Sequence, residues 1–141
     1  MGAGCGGGGH TNDAPVRALM QRYLRAMVAH DWALACAQLT PEAAQRHVLG
    51  SRSSDCPHAL AFQAGAGLAG APHVHPERAG EELATVRIQK VTMLGDKAQL
   101  YLEEHTREEF ILLAVRRSGT WLLTQDLGIG IPVDSWSGTL Y

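Results

Sequence analysis

The sequence predicts an α+β fold, helices first and a strongly bent antiparallel β-sheet after them, on three observations. Apolar residues recur at helical spacing at Val16, Leu19, Met20, Tyr23, Leu24, Met27 and Val28. From Thr85 onward the spacing becomes alternation, with Ala98, Leu100 and Leu102 set against Gln99, Tyr101 and Glu103. The change happens once, across an Ala-, Gly-, Pro- and His-rich stretch from Gly65 to Gly80, so helices and strands are segregated along the chain.

The elements follow in order. Asp13 is expected to cap the first helix, with Pro15 in its first turn, and the helix should end near Ala29-His30. Its apolar arc is wide, which suits a helix cradled by a bent sheet on one flank and by the helix that starts at Cys56 on another. Asp31 caps a short second helix, Trp32 to Gln38, whose inward face is Trp32, Ala35, Cys36 and Leu39. Thr40-Pro41-Glu42 is a further start signal, and the helix it opens should stop at Gly50. Asp55 or Ser54 caps the Cys56 helix, which stops by Gly65.

The strands begin at Thr85. Val86 and Ile88 share one parity and Val91 and Met93 the other, so a β-bulge is expected near Gln89-Lys90. Gly95-Asp96-Lys97 turns into a strand from Ala98 to Glu103 with one buried face. Phe110 to Val115 is apolar on both parities, as a strand covered on both sides would be. Arg117-Ser118-Gly119 turns into a last strand from Trp121 to Gln125. The segment from Gly128 to Tyr141 holds Pro132, Trp136 and Tyr141, an apolar load for a floating tail.

Length and composition narrow the function classes. The chain has 141 residues, 45% hydrophobic and 18% charged, with a net charge of -2. Residues 1–13 read as a disordered Gly-rich tether and residues 14–141 as one domain. The charge balance provides no footprint for nucleic acid, and no apolar run reaches the roughly 20 residues of a membrane span.

Near the start, Ala3-Gly4-Cys5 resembles the end of a bacterial lipobox, the Leu-Ala-Gly-Cys motif whose cysteine is acylated and becomes the first mature residue. Gly2 stands where that motif usually has an apolar residue, and the charged and hydrophobic signal regions are expected upstream of Met1. The resemblance implies lipidation at Cys5, a Gly-rich tether after it, and an extracytoplasmic, membrane-anchored or secreted protein. The alternative is a cytoplasmic chain with a glycine-rich start. With Cys5 so assigned, Cys36 and Cys56 remain as an even pair on inward faces of neighbouring helices. They are expected to form a disulfide, which persists outside the reducing cytoplasm. The alternative is two buried free thiols acting as small hydrophobes.

The helix ending in Ala29-His30-Asp31-Trp32, the run Leu39-Thr40-Pro41-Glu42 and the hairpin Arg116-Arg117-Ser118-Gly119-Thr120-Trp121-Leu122-Leu123 resemble the cone-shaped NTF2-like superfamily, which includes SnoaL-like and ketosteroid-isomerase-like proteins. Ala35-Cys36-Ala37-Gln38-Leu39-Thr40-Pro41, with Asp55-Cys56, resembles small secreted or lipid-anchored actinobacterial members. The resemblance spans roughly residues 14–127 at the level of pattern; another cystatin-like helix-on-sheet arrangement is the alternative fold. It implies a pocket between the first helix and the concave sheet, with Tyr23, Met27, Trp32 and Leu100 as candidate lining.

Two functions follow as expectations. One is a non-catalytic extracytoplasmic domain binding a small apolar ligand or an envelope protein, without cofactor. The other is a SnoaL-like or isomerase-like enzyme, with Tyr23 donating to a developing oxyanion and Asp126 as a base. Tyr23 is equally a core tyrosine, and Asp126 and Asp31 are equally strand-end and cap residues. His73 and His75, with Glu77 nearby, fall short of the ligands a metal needs. Glu103, Glu104, Glu108 and Glu109, with His105 and Arg107, read as a solvated turn. A homodimer through the outer sheet face would explain the apolar Ile111, Leu113 and Val115.

Overall fold

The computed structural model describes residues 12–65, 85–103, 109–124 and 131–132. Four helices precede the strands among these residues: α1 (Ala14–Val28), α2 (Trp32–Ala37), α3 (Pro41–Ser51) and α4 (Cys56–Gly65). The α+β order read from the sequence is therefore the order found.

Local chemistry sets the helix ends. Asp13 does not cap α1 through its side chain. Its carboxylate instead accepts from Arg17 Nε at 3.1 Å, and Asn12 Oδ1 takes the Ala14 N–H at 3.1 Å. Arg17 lies one turn away, and its charge outcompetes the backbone donors for that carboxylate. At the other end His30 is left-handed, with φ of 59°. Its N–H reaches Met27 O at 3.2 Å, and the Asp31 N–H reaches Ala26 O at 2.8 Å. That pair of bonds is a Schellman motif, which satisfies the last carbonyls of the helix. Asp31 then opens α2, its Oδ1 accepting from the Leu34 N–H at 3.2 Å.

Thr40 does the same for α3, accepting the Ala43 N–H at 3.1 Å while only 1% exposed. Because Ala43 is also buried, losing that oxygen strands a donor away from water. Thr40→Val, which keeps the shape and removes the acceptor, is expected to cost about 1–2 kcal/mol. Urea denaturation should show it as a lower midpoint with an unchanged slope.

The strands β1 (Arg87–Leu94), β2 (Lys97–Glu103), β3 (Glu109–Arg117) and β4 (Thr120–Leu123) form an antiparallel meander in that order, and β5 (Ile131–Pro132) pairs with β3. Two-residue turns join the hairpins. Gly95, at φ of 60°, and Asp96 connect β1 to β2, and Lys97 already belongs to β2. Ser118 and Gly119, both at positive φ, connect β3 to β4, as a hairpin turn matched to strand twist requires. The expected bulge is present: the β1–β2 register shifts between Ile88 and Lys90. It lets Ile88, Val91 and Met93 all pack against the core despite their differing parity. The last long strand ends at Leu123 rather than Gln125. Its outer edge is covered by a parallel bridge from Leu39, with Thr40 N–H on Leu123 O and Leu123 N–H on Gln38 O, each at 2.8 Å.

One core lies between the helices and one sheet face. Val16, Leu19, Met20, Tyr23, Ala26 and Met27 of α1 meet Leu100, Leu102, Leu112, Ala114, Trp121 and Leu123. Two expectations for α1 are corrected. Val28 is 40% exposed and Ala26 takes its place, because the apolar arc turns toward the Ala26 side as the helix ends. The helix beside α1 is α2, whereas α4 packs on α2 and α3. On β3 both parities are buried, Leu112 and Ala114 toward the helices, Ile111 and Leu113 away from them. That burial occurs within the single chain, so a second copy is not needed to explain the apolar pattern.

Candidate functional site

The four sequence candidates for a pocket lining meet in space. Tyr23, Met27 and Leu100 belong to one buried cluster, and the half-buried Trp32 packs against it. Tyr23 is 1% exposed and has a partner, as a core tyrosine does. Leu100 sits mid-sheet, paired with Val91 on one side and Leu112 on the other. Asp126 lies outside the described residues, as do Cys5, His73, His75, Glu77, Glu104, His105, Arg107 and Glu108. Glu103 and Glu109 are described and face each other across β2 and β3, with Arg87 opposite Glu103 on β1.

The cysteine pair is joined. Cys36 Sγ and Cys56 Sγ lie 2.07 Å apart, with Cα atoms at 6.1 Å and a sequence separation of 20. Both side chains are partly buried against the core, and the bond ties α2 to α4. Asp55, directly before Cys56, accepts the His58 N–H at 3.0 Å, which fixes the first turn of α4.

A surface feature at the α1–α2 corner was not read from the sequence. The rings of His30 and Trp32 stack at 5.0 Å with an interplanar angle of 15°. Around them Val28 and Leu34 stay 40% and 42% exposed. Arg22 Nε donates to Gln38 Oε1 at 3.2 Å and Gln38 Nε2 to Leu34 O at 3.0 Å, which steadies α2 against α1. The stack forms at the left-handed His30 that ends α1, two residues before Trp32. Glycine would take His30's backbone conformation with less strain. His30→Gly is therefore expected to leave stability unchanged or raise it by up to about 1 kcal/mol, the lost stack offsetting the relief. Thermal denaturation of the variant measures it.

Charged contacts tie the sheet to its turns and helices. Arg116 donates to Asp96 Oδ1 from Nε at 2.8 Å and Nη2 at 2.6 Å, and its guanidinium lies 5.8 Å from the Trp121 ring centre. Arg117 Nη1 donates to Glu42 Oε1 at 2.7 Å, and Arg46 donates to the Thr124 carbonyl. The hydrogen bond from Arg117 holds the Glu42 carboxyl below its ordinary value of 4.5. The backbone N–H of His58, then its ring, holds Asp55 below 3.8. A carboxyl lowered on folding stabilises above its unfolded value and loses that contribution as pH falls through its folded value. Stability should therefore hold down to about pH 4.5 and decline below it. Glu42→Gln should remove part of that decline in a series of melting temperatures against pH.

Among the described residues no helix is long and apolar enough to cross a membrane, and no three His, Cys, Asp or Glu side chains are placed to hold a metal ion. No protein-family model matches the chain, and no curated protein or solved structure matches it significantly.

Proposed function

We propose that this chain is a non-catalytic, extracytoplasmic binding domain of the NTF2-like type, carried on a Gly-rich tether from a lipidated Cys5. The observation that carries the reading is the Cys36–Cys56 bond within the helical layer, a cross-link that persists in oxidising compartments. The segregated helices and the bulged antiparallel meander support the NTF2-like part, because a bulge bends a strand toward the curvature a cone requires. The burial of Tyr23 supports a binding domain over an enzyme, since a phenol packed in the core is poorly placed to meet a substrate oxygen. The ligand is a small apolar molecule or an envelope protein. The corner of Val28, His30, Trp32 and Leu34 is one exposed apolar surface available to it, alongside the exposed Leu49 and Phe62.

The test is expression in a bacterium behind a lipoprotein signal sequence, beside a Cys5→Ser variant. The expected result is a membrane-bound, fatty-acylated chain with no alkylatable Cys36 or Cys56, and a variant that folds but leaves the membrane fraction. Two free thiols in the exported chain, or equal fractionation of both forms, would refute the reading.

A further inference from the structure

The outer side of α1 is basic. At 100° per residue Arg17, Arg22 and Arg25 fall within an arc of about 140°, opposite the buried Val16, Leu19, Met20 and Tyr23. The helix contains no acid, in a chain whose net charge is -2. Arg17 is engaged by Asp13 at 3.1 Å. Arg22 donates to the neutral Gln38, and neither it nor the exposed Arg25 pairs with an acid among the described residues. Asp31, the acid that follows the helix, has its carboxylate on the Leu34 N–H.

One turn beyond Arg25 the same side becomes apolar. Val28 and Leu34 are exposed there, beside the stacked rings of His30 and Trp32. The hydrogen bonds from Arg22 to Gln38 and from Gln38 to the Leu34 carbonyl bring the basic side of α1 next to α2. Unpaired guanidinium groups beside exposed rings and aliphatic tips make an interfacial surface. The guanidinium fork bonds phosphate, rings settle at headgroup depth, and aliphatic tips enter the acyl boundary.

We propose that this corner lies on an anionic lipid bilayer, with Arg22 and Arg25 on headgroup phosphates and Val28, Trp32 and Leu34 at the acyl boundary. The outer side of a helix is convex, so a protein partner has to supply a groove for it, whereas a bilayer surface needs none. The contact goes beyond the binding reading above, since it requires neither acylation at Cys5 nor a ligand. Two arginines and a few apolar tips bind weakly, and a salt wash releases them. The contact therefore orients a chain already held at a bilayer rather than anchoring it.

Sedimentation with lipid vesicles tests the proposal, on the full chain carrying Cys5→Ser so that no acyl group contributes. At low ionic strength, phosphatidylcholine vesicles with about one third phosphatidylglycerol are expected to bind about fivefold more tightly than phosphatidylcholine alone. Salt at about 0.5 M should erase the difference. Arg22→Gln and Arg25→Gln should each weaken binding about fivefold. Arg87→Gln, which removes an exposed cation on β1, should leave it unchanged. Leu34→Asp puts an acid in the first turn of α2, where it favours the helix, so the chain stays folded while binding falls about tenfold. Circular dichroism of each variant checks the fold. Equal binding to both vesicles overturns the proposal, as does an Arg87→Gln effect as large as that of Arg25→Gln, or full binding by Leu34→Asp. Binding to neither vesicle overturns it too, and leaves the corner to a protein partner. Because the chain tested lacks the acylation site, neither result depends on whether Cys5 is acylated.

Discussion

A chain carrying Cys36→Ala and Cys56→Ala is expected to be less stable than the parent by about 3 kcal/mol, the chain-entropy value for a loop of this size. For a domain of this length that is a fall in melting temperature of about 10 °C. The loss acts mainly on the unfolded state, which regains the freedom of the loop between α2 and α4. Packing contributes a smaller part, because both side chains are only partly buried against the core. Melting curves with and without reductant provide the control: reductant should shift the parent by a similar amount and leave the double variant unmoved. If reductant shifts neither, the bond is not formed in solution.

Leu100→Ala is expected to cost about 3 kcal/mol by equilibrium denaturation. The side chain is 0% exposed and lies in a row with Val91 and Leu112, so its removal leaves a cavity that two neighbouring strands hold open. The value also separates two roles for this position. A side chain that lines a ligand cavity loses few packing contacts on truncation and costs much less. Leu94→Ala, on the same sheet but 61% exposed, is the internal comparison and should stay within about 0.5 kcal/mol.

What was legible in the sequence was local chemistry with a fixed spacing. Asp31 and Thr40 could be read as caps because a cap needs only its own side chain and a donor three residues ahead. The bulge at Gln89 was readable because the apolar parity switches inside one strand. Asp13 misled because the same spacing logic offered it two partners, the backbone and Arg17, and charge favoured the second. The pairing of β5, the Leu39 bridge and the Arg116 clasp on Asp96 were invisible, since each joins residues distant in sequence with no periodic signal. Of the residues the sequence offered as a lining, Tyr23, Met27 and Leu100 belong to the buried core and Trp32 packs against it. The sequence had no means of separating a lining from a core, because apolar spacing is the same for both. The stacked corner at His30 went unread because it depends on one left-handed residue.

The bridge between Leu39 and Leu123 implies an order of events for the nascent chain. Its two partners are separated by more than half the sequence, so this contact must wait for the last hairpin to emerge. The cysteines, by contrast, lie 20 residues apart and both precede the first strand. Oxidation can therefore proceed on a half-made chain, with the helical layer stapled before any sheet exists to receive it. The cross-link needs only the first half of the chain, whereas the Leu39 bridge has to wait for β4.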